Sequence, residues 1–272
     1  MKYFFVTALF FASFPIQAAT VLVLVAHPDD ELSVNGTILH MVNTSLDVHV
    51  AYSTSGKYGN DVRGIANTPA KLGQQRESEA TEALGVLGVE PSNIHFMRQD
   101  DNGANIYAVV ASVQPLFDTL QPDIVITFGV EGIYGHADHR NISAVTSYIF
   151  NNAINSKILL HLAISETKDS GYGFTRDRRT PSDNTVYRVA DYAINYQLNV
   201  AAYAETQKAS LRKYVSQFDA DKIAIMSRYY ETAQCPDGTV CEQFVLARVK
   251  NNIGNTTSDL LRLINFTPVN QP

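Results

Sequence analysis

Two short stretches carry residue types that can do hydrolytic chemistry. One is Ala26-His27-Pro28-Asp29-Asp30-Glu31; the other is Tyr134-Gly135-His136-Ala137-Asp138-His139. In the first, His27 and Asp30 stand three residues apart with Asp29 between them. Imidazole and carboxylate are ligands a catalytic zinc takes, and such a site keeps one position open for water. That water reaches a pKa near ~7 and becomes a nucleophile at neutral pH. Neighbouring carboxylates diverge, so one of Asp29 and Asp30 can bind metal while the other, as general base, takes a proton from water. Pro28 stiffens the turn. An acidic Pro-Asp-Asp-Glu run also suits a first helical turn, but the second stretch argues against that as its whole role. His136 and His139 share roughly one face of a helix start. One can complete the metal site. The other is then left to stabilise an oxyanion and protonate a leaving amine, with Asp138 fixing its tautomer and raising its pKa. Chemistry alone leaves open which histidine does which. His40, His49, His95 and His161 read as isolated core or surface residues.

The elements around these stretches place them on one edge. Residues 21–25 are apolar, β-branched and do not alternate, the pattern of a parallel strand buried on both faces. Further strands are expected over 47–53, 93–97, 123–128 and 158–164, and a late one over 244–249 with its partner open. Helices are expected over 36–42, 69–87, 106–120, 136–152 and 199–218. This alternation predicts an α/β doubly wound, mostly parallel sheet with helices on both faces and a less regular C-terminal part. Both motifs follow buried strands and so share the edge where open α/β sheets bind ligands. On the helix after the second strand, Arg76 and Glu79 lie on or beside the inward stripe. They read as either a structural salt bridge or a substrate-facing pair. The polar stretch 168–184 reads as a long loop or insertion near the site, and the tail after Asn251 is weakly patterned.

Composition sets limits. The chain has 272 residues, 45% of them hydrophobic, and a net charge of -6. Its length suits one large domain, and the charge argues against a nucleic-acid partner. Lys2 followed by the apolar residues 3–14 and Pro15-Ile16-Gln17-Ala18 has the form of a signal peptide, so cleavage is expected after Ala18, leaving one domain over 19–272 in an exported, periplasmic or extracellular protein. No later stretch approaches a membrane span. The only two cysteines, Cys235 and Cys241, bracket a Pro-Asp-Gly turn. They are a disulfide pair suited to an oxidising compartment, or else two free thiols.

His27-Pro28-Asp29-Asp30-Glu31 and Gly135-His136-Ala137-Asp138-His139 resemble the two signature motifs of the PIG-L/LmbE zinc de-N-acetylases, within a resemblance covering roughly 21–164. The resemblance implies a Rossmann-like fold and removal of acetyl groups from N-acetylglucosamine units of glycolipids, thiol precursors or chitin oligosaccharides. It implies His27, Asp30 and His139 as zinc ligands and Asp29 as general base. It makes His136 the acid and oxyanion group, Asp138 its partner, and Tyr134 a second contact to the acetyl oxygen. Arg76 and Glu79 match the family's Arg-x-x-Glu, whose arginine meets substrate, and Asp100 or Asp101 resembles its sugar-binding acid. Two departures stand out. Ala137 replaces a usual proline, and Tyr214-Val215-Ser216-Gln217 stands where His-x-Ser-Gln is common, which bears on the substrate. The competing expectations are a zinc hydrolase of another amide or an ester, and a non-catalytic glycan-binding module. A dinucleotide site would need Gly-x-Gly-x-x-Gly in the first turn, and a serine hydrolase Gly-x-Ser-x-Gly; neither is present.

Overall fold

The computed structural model describes residues 18–64, 66–168, 186–250, 260–262 and 264–269. In chain order the elements are β1 (Thr20–Val25), α1 (Asn35–Asn43), β2 (Asp47–Thr54), α2 (Pro69–Val86), β3 (Ile94–Gln99), α3 (Ile106–Leu120), β4 (Ile124–Phe128) and α4 (Gly132–Gly135). After them come α5 (Ala137–Asn152), β5 (Ile158–Ala163), β6 (Tyr196–Asn199), α6 (Ala204–Leu211), α7 (Ala220–Thr232), β7 (Cys241–Val249) and β8 (Thr267–Pro268). The strands form one mixed sheet in the order β3-β2-β1-β4-β5-β7-β6-β8. The first five strands run parallel, and β7, β6 and β8 extend the sheet antiparallel. β1 lies between β2 and β4 with every residue buried, which is why its sequence shows no alternation. From β1 the chain winds outward in both directions, so the loops after β1 and β4 flank the crevice where the strand order reverses.

Local chemistry fixes the helices that carry the site. Thr68 caps α2 through a hydrogen bond from the Lys71 amide, and Pro69 occupies the first turn, where its missing N–H costs nothing. α1 follows the first motif and has no cap of its own. Instead Glu242 of β7 accepts from the amides of Gly36 (3.0 Å) and Thr37 (2.8 Å). A buried carboxylate thereby faces the positive end of the helix and ties the C-terminal strands to the first motif.

The C-terminal third departs from the expected pattern. The helix expected over 199–218 is only α6: Asn199 ends β6, which lies between β7 and β8, and the helix stops at Leu211. Beyond it the Tyr214 and Ser216 side chains bond to Glu31 and Glu79, which draws the chain off a helical course. α7 is an element the sequence reading lacks; its N-cap is Asp219, whose carboxylate accepts from the Lys222 amide at 2.8 Å. β7 begins earlier than expected and pairs with β5 on one side and β6 on the other. The tail is not loose where it is described: Ile264 and Phe266 are buried, and Phe266 stacks on Phe244. Cys235 and Cys241 are disulfide-bonded. The proposed signal segment before Ala18 and most of the 168–184 stretch lie outside the described residues. Among the described residues no helix is long and apolar enough to cross a membrane.

The histidines outside the motifs are not all isolated. His49 and His95 sit on adjacent strands, their Nδ1 and Nε2 atoms 3.1 Å apart, and His40 bonds to the Tyr203 hydroxyl. His161 on β5 has an Nε2 without a partner among the described residues, and burial pulls its pKa down to about 4. In the unfolded chain it titrates near ~6.5. The neutral ring therefore contributes stability that is whole above pH ~6.5 and is lost as pH falls through about 4. Between pH ~8 and ~5 this loss is about 2 kcal/mol. Urea denaturation of His161→Leu should show an acid decline smaller by that amount; equal declines in variant and wild type would show that burial does not keep the ring neutral.

Candidate active site

The two motif loops converge at the carboxyl ends of β1 and β4. Asp30 lies between two imidazoles, with Oδ2 3.3 Å from His27 Nδ1 and Oδ1 3.2 Å from His139 Nε2. The far nitrogen of each ring is occupied. His27 Nε2 lies 3.0 Å from Asp138 Oδ2, and His139 Nδ1 lies 3.2 Å from the Gly132 carbonyl. If each far nitrogen donates, both near nitrogens turn lone pairs toward Asp30, the arrangement that outer partners impose on metal-binding histidines. Phe128 stacks flat on His139, 4.2 Å between centroids, and fixes the ring plane. Neighbouring ligands of a tetrahedral zinc with bonds of ~2.0–2.1 Å are separated by about 3.3 Å. The Asp30 contacts have that spacing, one through each carboxylate oxygen, so His27, Asp30 and His139 fit a zinc-type ion by donor type and by the closeness of each imidazole to the carboxylate. Electrostatics agree. Burial opposes charge on His27, but Asp138 and Asp30 outweigh it and raise its pKa to about 10. A point that holds a proton this firmly is one where a divalent cation can exchange for it.

His136 belongs to the same cluster, its donor atom within 4.8 Å of those of His27 and His139, but it differs from them. Its side chain is 30% exposed against 1% for His139. It is the N-cap of α5, and its Nδ1 accepts from the Asp138 amide at 3.2 Å. The neutral ring therefore carries its proton on Nε2. The Asp138 carboxylate is not the hydrogen-bond partner of the His136 ring that the sequence suggested: its nearest oxygen stands 3.9 Å from Nδ1. The Asp138 carboxylate accepts instead from the amides of Asn102 (2.7 Å) and Gly103 (2.8 Å) and meets His27. Burial works against its charge, yet these partners hold its pKa down at about 2. The His136 pKa is lowered, first by burial and then by charge on His27 and His139, the reverse of the expected direction. The Tyr134 hydroxyl reaches His139 Nε2 at 3.4 Å.

Asp29 is built differently from Asp30. Its φ is 106°, a left-handed conformation that costs a non-glycine residue about 1–3 kcal/mol and persists only where the surroundings hold it. Its amide donates to Glu31 Oε2 at 3.1 Å, and its Oδ1 accepts from Arg76 Nη2 at 3.0 Å. Burial and the Asp30 charge raise its pKa to about 6, against the pull of Arg76. The second motif loop is strained as well: Ile133, β-branched, has φ 62°.

The four expected substrate contacts are engaged by other parts of the protein. Arg76 is 4% exposed and bonds to the carbonyls of Pro28 (2.5 Å) and Gly56 (2.8 Å) as well as Asp29. Glu79, also buried, accepts from the Ser216 amide (3.0 Å) and hydroxyl (2.7 Å). The two residues do not pair with each other; each ties α2 to a different loop. Asp100 takes Lys57 at 2.5 Å and Asp101 the Tyr58 amide at 2.8 Å. Both carboxylates therefore clip the loop after β2 to the loop after β3.

Sequence reasoning missed Glu31 and Tyr214 as a supporting pair. Tyr214, fully buried, donates to Glu31 Oε1 at 2.5 Å, and the other Glu31 oxygen holds the Asp29 amide. A tyrosine at the departure from His-x-Ser-Gln was the available signal. Tyr214→Phe leaves Glu31 without that donor and should cost about 1–3 kcal/mol, read from the denaturant midpoint. An unchanged midpoint would mean that the hydroxyl does not hold Glu31.

A parallel-centred α/β sheet with a histidine–carboxylate cluster at its switch point defines a Rossmann-like protein with a metal-type site. Residues 22–150 match the family model described as PIG-L, GlcNAc-PI de-N-acetylase. The chain is 26% identical over 223 residues to a 1D-myo-inositol 2-acetamido-2-deoxy-alpha-D-glucopyranoside deacetylase of Mycobacterium sp. (strain KMS), covering 71% of this chain and 72% of the relative. The N,N'-diacetylchitobiose deacetylase of Pyrococcus horikoshii shares the fold with TM-score 0.64 at 18% identity, over 86% of this chain and 84% of that one. So does the 4-carboxy-2-hydroxymuconate hydratase GalB of Pseudomonas putida, with TM-score 0.63 at 14% identity, over 87% of this chain and all of that one. One fold thus carries different chemistries, and function must be argued from the site.

Proposed function

We propose that this protein is a zinc-dependent hydrolase that removes the N-acetyl group from an N-acetylglucosamine-type sugar. The observation that carries the reading is the division of labour between adjacent carboxylates. Asp30 lies between His27 and His139, while Asp29 is turned away and held by Arg76. The family match and the named activity of the mycobacterial relative support the substrate class. His27, Asp30 and His139 would hold the ion, which when bound supplies a Lewis acid for the acyl oxygen and acidifies water. Asp29 accepts the proton of the water that attacks the amide carbon. The His136 Nε2–H and the Tyr134 hydroxyl donate to the oxygen as it gains negative charge. The C–N bond breaks as the nitrogen receives the proton held by the Asp29 carboxyl, and the products are acetate and a free amine. Asp29 acts here in place of the His136 acid that the resemblance implies, because the one proton of the neutral His136 ring, on Nε2, is committed to the oxygen. Hydrolysis of another amide or of an ester by the same groups is the second reading.

The test is acetate release from a panel of N-acetylated sugars, before and after chelation and with zinc restored. Release that is lost on chelation and returns with zinc supports the proposal; release indifferent to chelation overturns its metal part. We also propose that the mature protein is exported. The N-terminal pattern supports this, and the Cys235–Cys241 bond suits an oxidising compartment. Mass analysis of the native protein should find Ala19 at its N-terminus; a chain retaining Lys2 would overturn export by this signal.

A further inference from the structure

We infer that the cavity beside the catalytic cluster receives an apolar substituent of several carbons on the N-acylated sugar, either an acyl chain longer than acetyl or an apolar aglycone. The inference rests on the amide-hydrolase reading and narrows its substrate. The cavity has a volume of about 260 Å³, just under the ~300 Å³ at which small-molecule pockets begin. It therefore suits part of a substrate rather than a whole glycoconjugate. Asp29, Asp30, Tyr134 and His139 of the catalytic cluster reach it, with Ser33 and Gln243 as further polar lining. The rest of the wall includes Leu32, Ile164, Phe218, Met226, Tyr229 and Tyr230.

A sugar ring pushed against Leu32, Ile164 and Met226 would bury hydroxyls against side chains that cannot bond to them, which is costly. An alkyl or aryl group has no such penalty and takes the apolar wall out of water. Met226 is unbranched and adapts to occupants of varied shape. Phe218, Met226, Tyr229 and Tyr230 come from α7 and the turn before it, beyond residue 150 where the family match ends. Most of the wall, though not Leu32, is thus built by the part of the chain outside the matched domain. Lys168 and Lys222 also reach the cavity, and Lys168 Nζ lies 5.8 Å from the centre of the Tyr229 ring. An anionic substrate is accordingly the competitor to separate.

The experiment uses the zinc-loaded full chain and two substrate series. One is N-acetyl-, N-hexanoyl- and N-decanoyl-glucosamine; the other is the methyl and octyl glycosides of N-acetylglucosamine, with the 6-phosphate as the anionic control. Each buried methylene is worth about fourfold. We expect kcat/KM to rise at least tenfold (by the same constant, ~fourfold per methylene) in one of the two series, and that series tells whether the group is acyl or aglycone. Met226→Asp should collapse the ratio of long to short substrate in the same series. Calorimetric binding of the same compounds gives a readout independent of turnover. Hydrolysis of N-acetylglucosamine with flat or falling ratios in both series, or a preference for the phosphate, overturns this inference and leaves the deacetylase reading standing. Length-dependent binding with no amide hydrolysed keeps the pocket and removes the activity. Neither binding nor hydrolysis removes both.

Discussion

Asp29→Asn should lower kcat by about 10²–10⁴-fold while bound zinc stays near one equivalent per chain. Asp30→Ala, its neighbour, should lose the zinc. The two carboxylates are adjacent in sequence but not in environment. Asp30 makes its closest contacts with His27 and His139, and their charge holds its pKa well below the usual range in spite of burial. Asp29 faces Arg76 and has a raised pKa of about 6, a value that suits a proton acceptor working near neutrality. His27→Ala and His139→Ala should lose zinc as Asp30→Ala does, because each removes one of three ligands. His136→Ala should keep zinc and lose rate. Elemental analysis of the dialysed variants, beside their kcat, decides the set. Zinc lost from His136→Ala and retained by Asp30→Ala would move the site to the three histidines, which also stand within 4.8 Å of one another.

How much of this was legible follows from how far apart the interacting residues lie. β1 and β4 declared themselves through unbroken apolar runs, and the motifs after them were readable because each is a local string. The parallel half of the sheet was therefore visible in the sequence. β6 has four residues, of which only two are buried, too little pattern to separate it from the helix that follows. α7 was missed although Ile223, Met226 and Tyr230 recur at helical spacing on its inward side; only Tyr230 is fully buried there, while Ile223, Met226 and Tyr229 are half-buried against the core. Site roles divided the same way. That the two strings share one edge of the sheet could be expected from their positions after buried strands; the choice of His139 over His136 beside His27 and Asp30 came only from the family resemblance. The allegiance of Asp138 could not, since it depends on the Asn102 and Gly103 amides from another loop. Glu79 presented an inward charge with two readings, and its partner Ser216, 137 residues away, belonged to neither.

Arg76→Lys should lower kcat about 10–100-fold, a loss of the general-base kind, with KM nearly unchanged. The guanidinium meets three acceptors: the carbonyls of Pro28 and Gly56 and the carboxylate of Asp29. The loop after β2 is moulded to it. Gly56 has φ +63°, and a Cβ there would stand 2.0 Å from Arg76 Nη1. A lysine is a single compact donor on a flexible stem and cannot span three acceptors fixed in a fork. Losing part of this set frees the strained Asp29 to relax, so the proton acceptor moves while the substrate surface stays where it was. The buried ion pair is also weakened, and breaking such a pair typically costs about 3–5 kcal/mol, so the variant should unfold at lower denaturant. The family resemblance instead implies an arginine that meets substrate, and the two roles separate in the kinetics. An interaction with substrate equal in ground and transition states would raise KM and spare kcat. A positioning role lowers kcat and kcat/KM together. Steady-state rates for wild type and Arg76→Lys on one N-acetylated sugar, with zinc content held equal, give the answer. A KM raised tenfold at constant kcat, roughly 1.4 kcal/mol of lost uniform binding, would return Arg76 to the substrate.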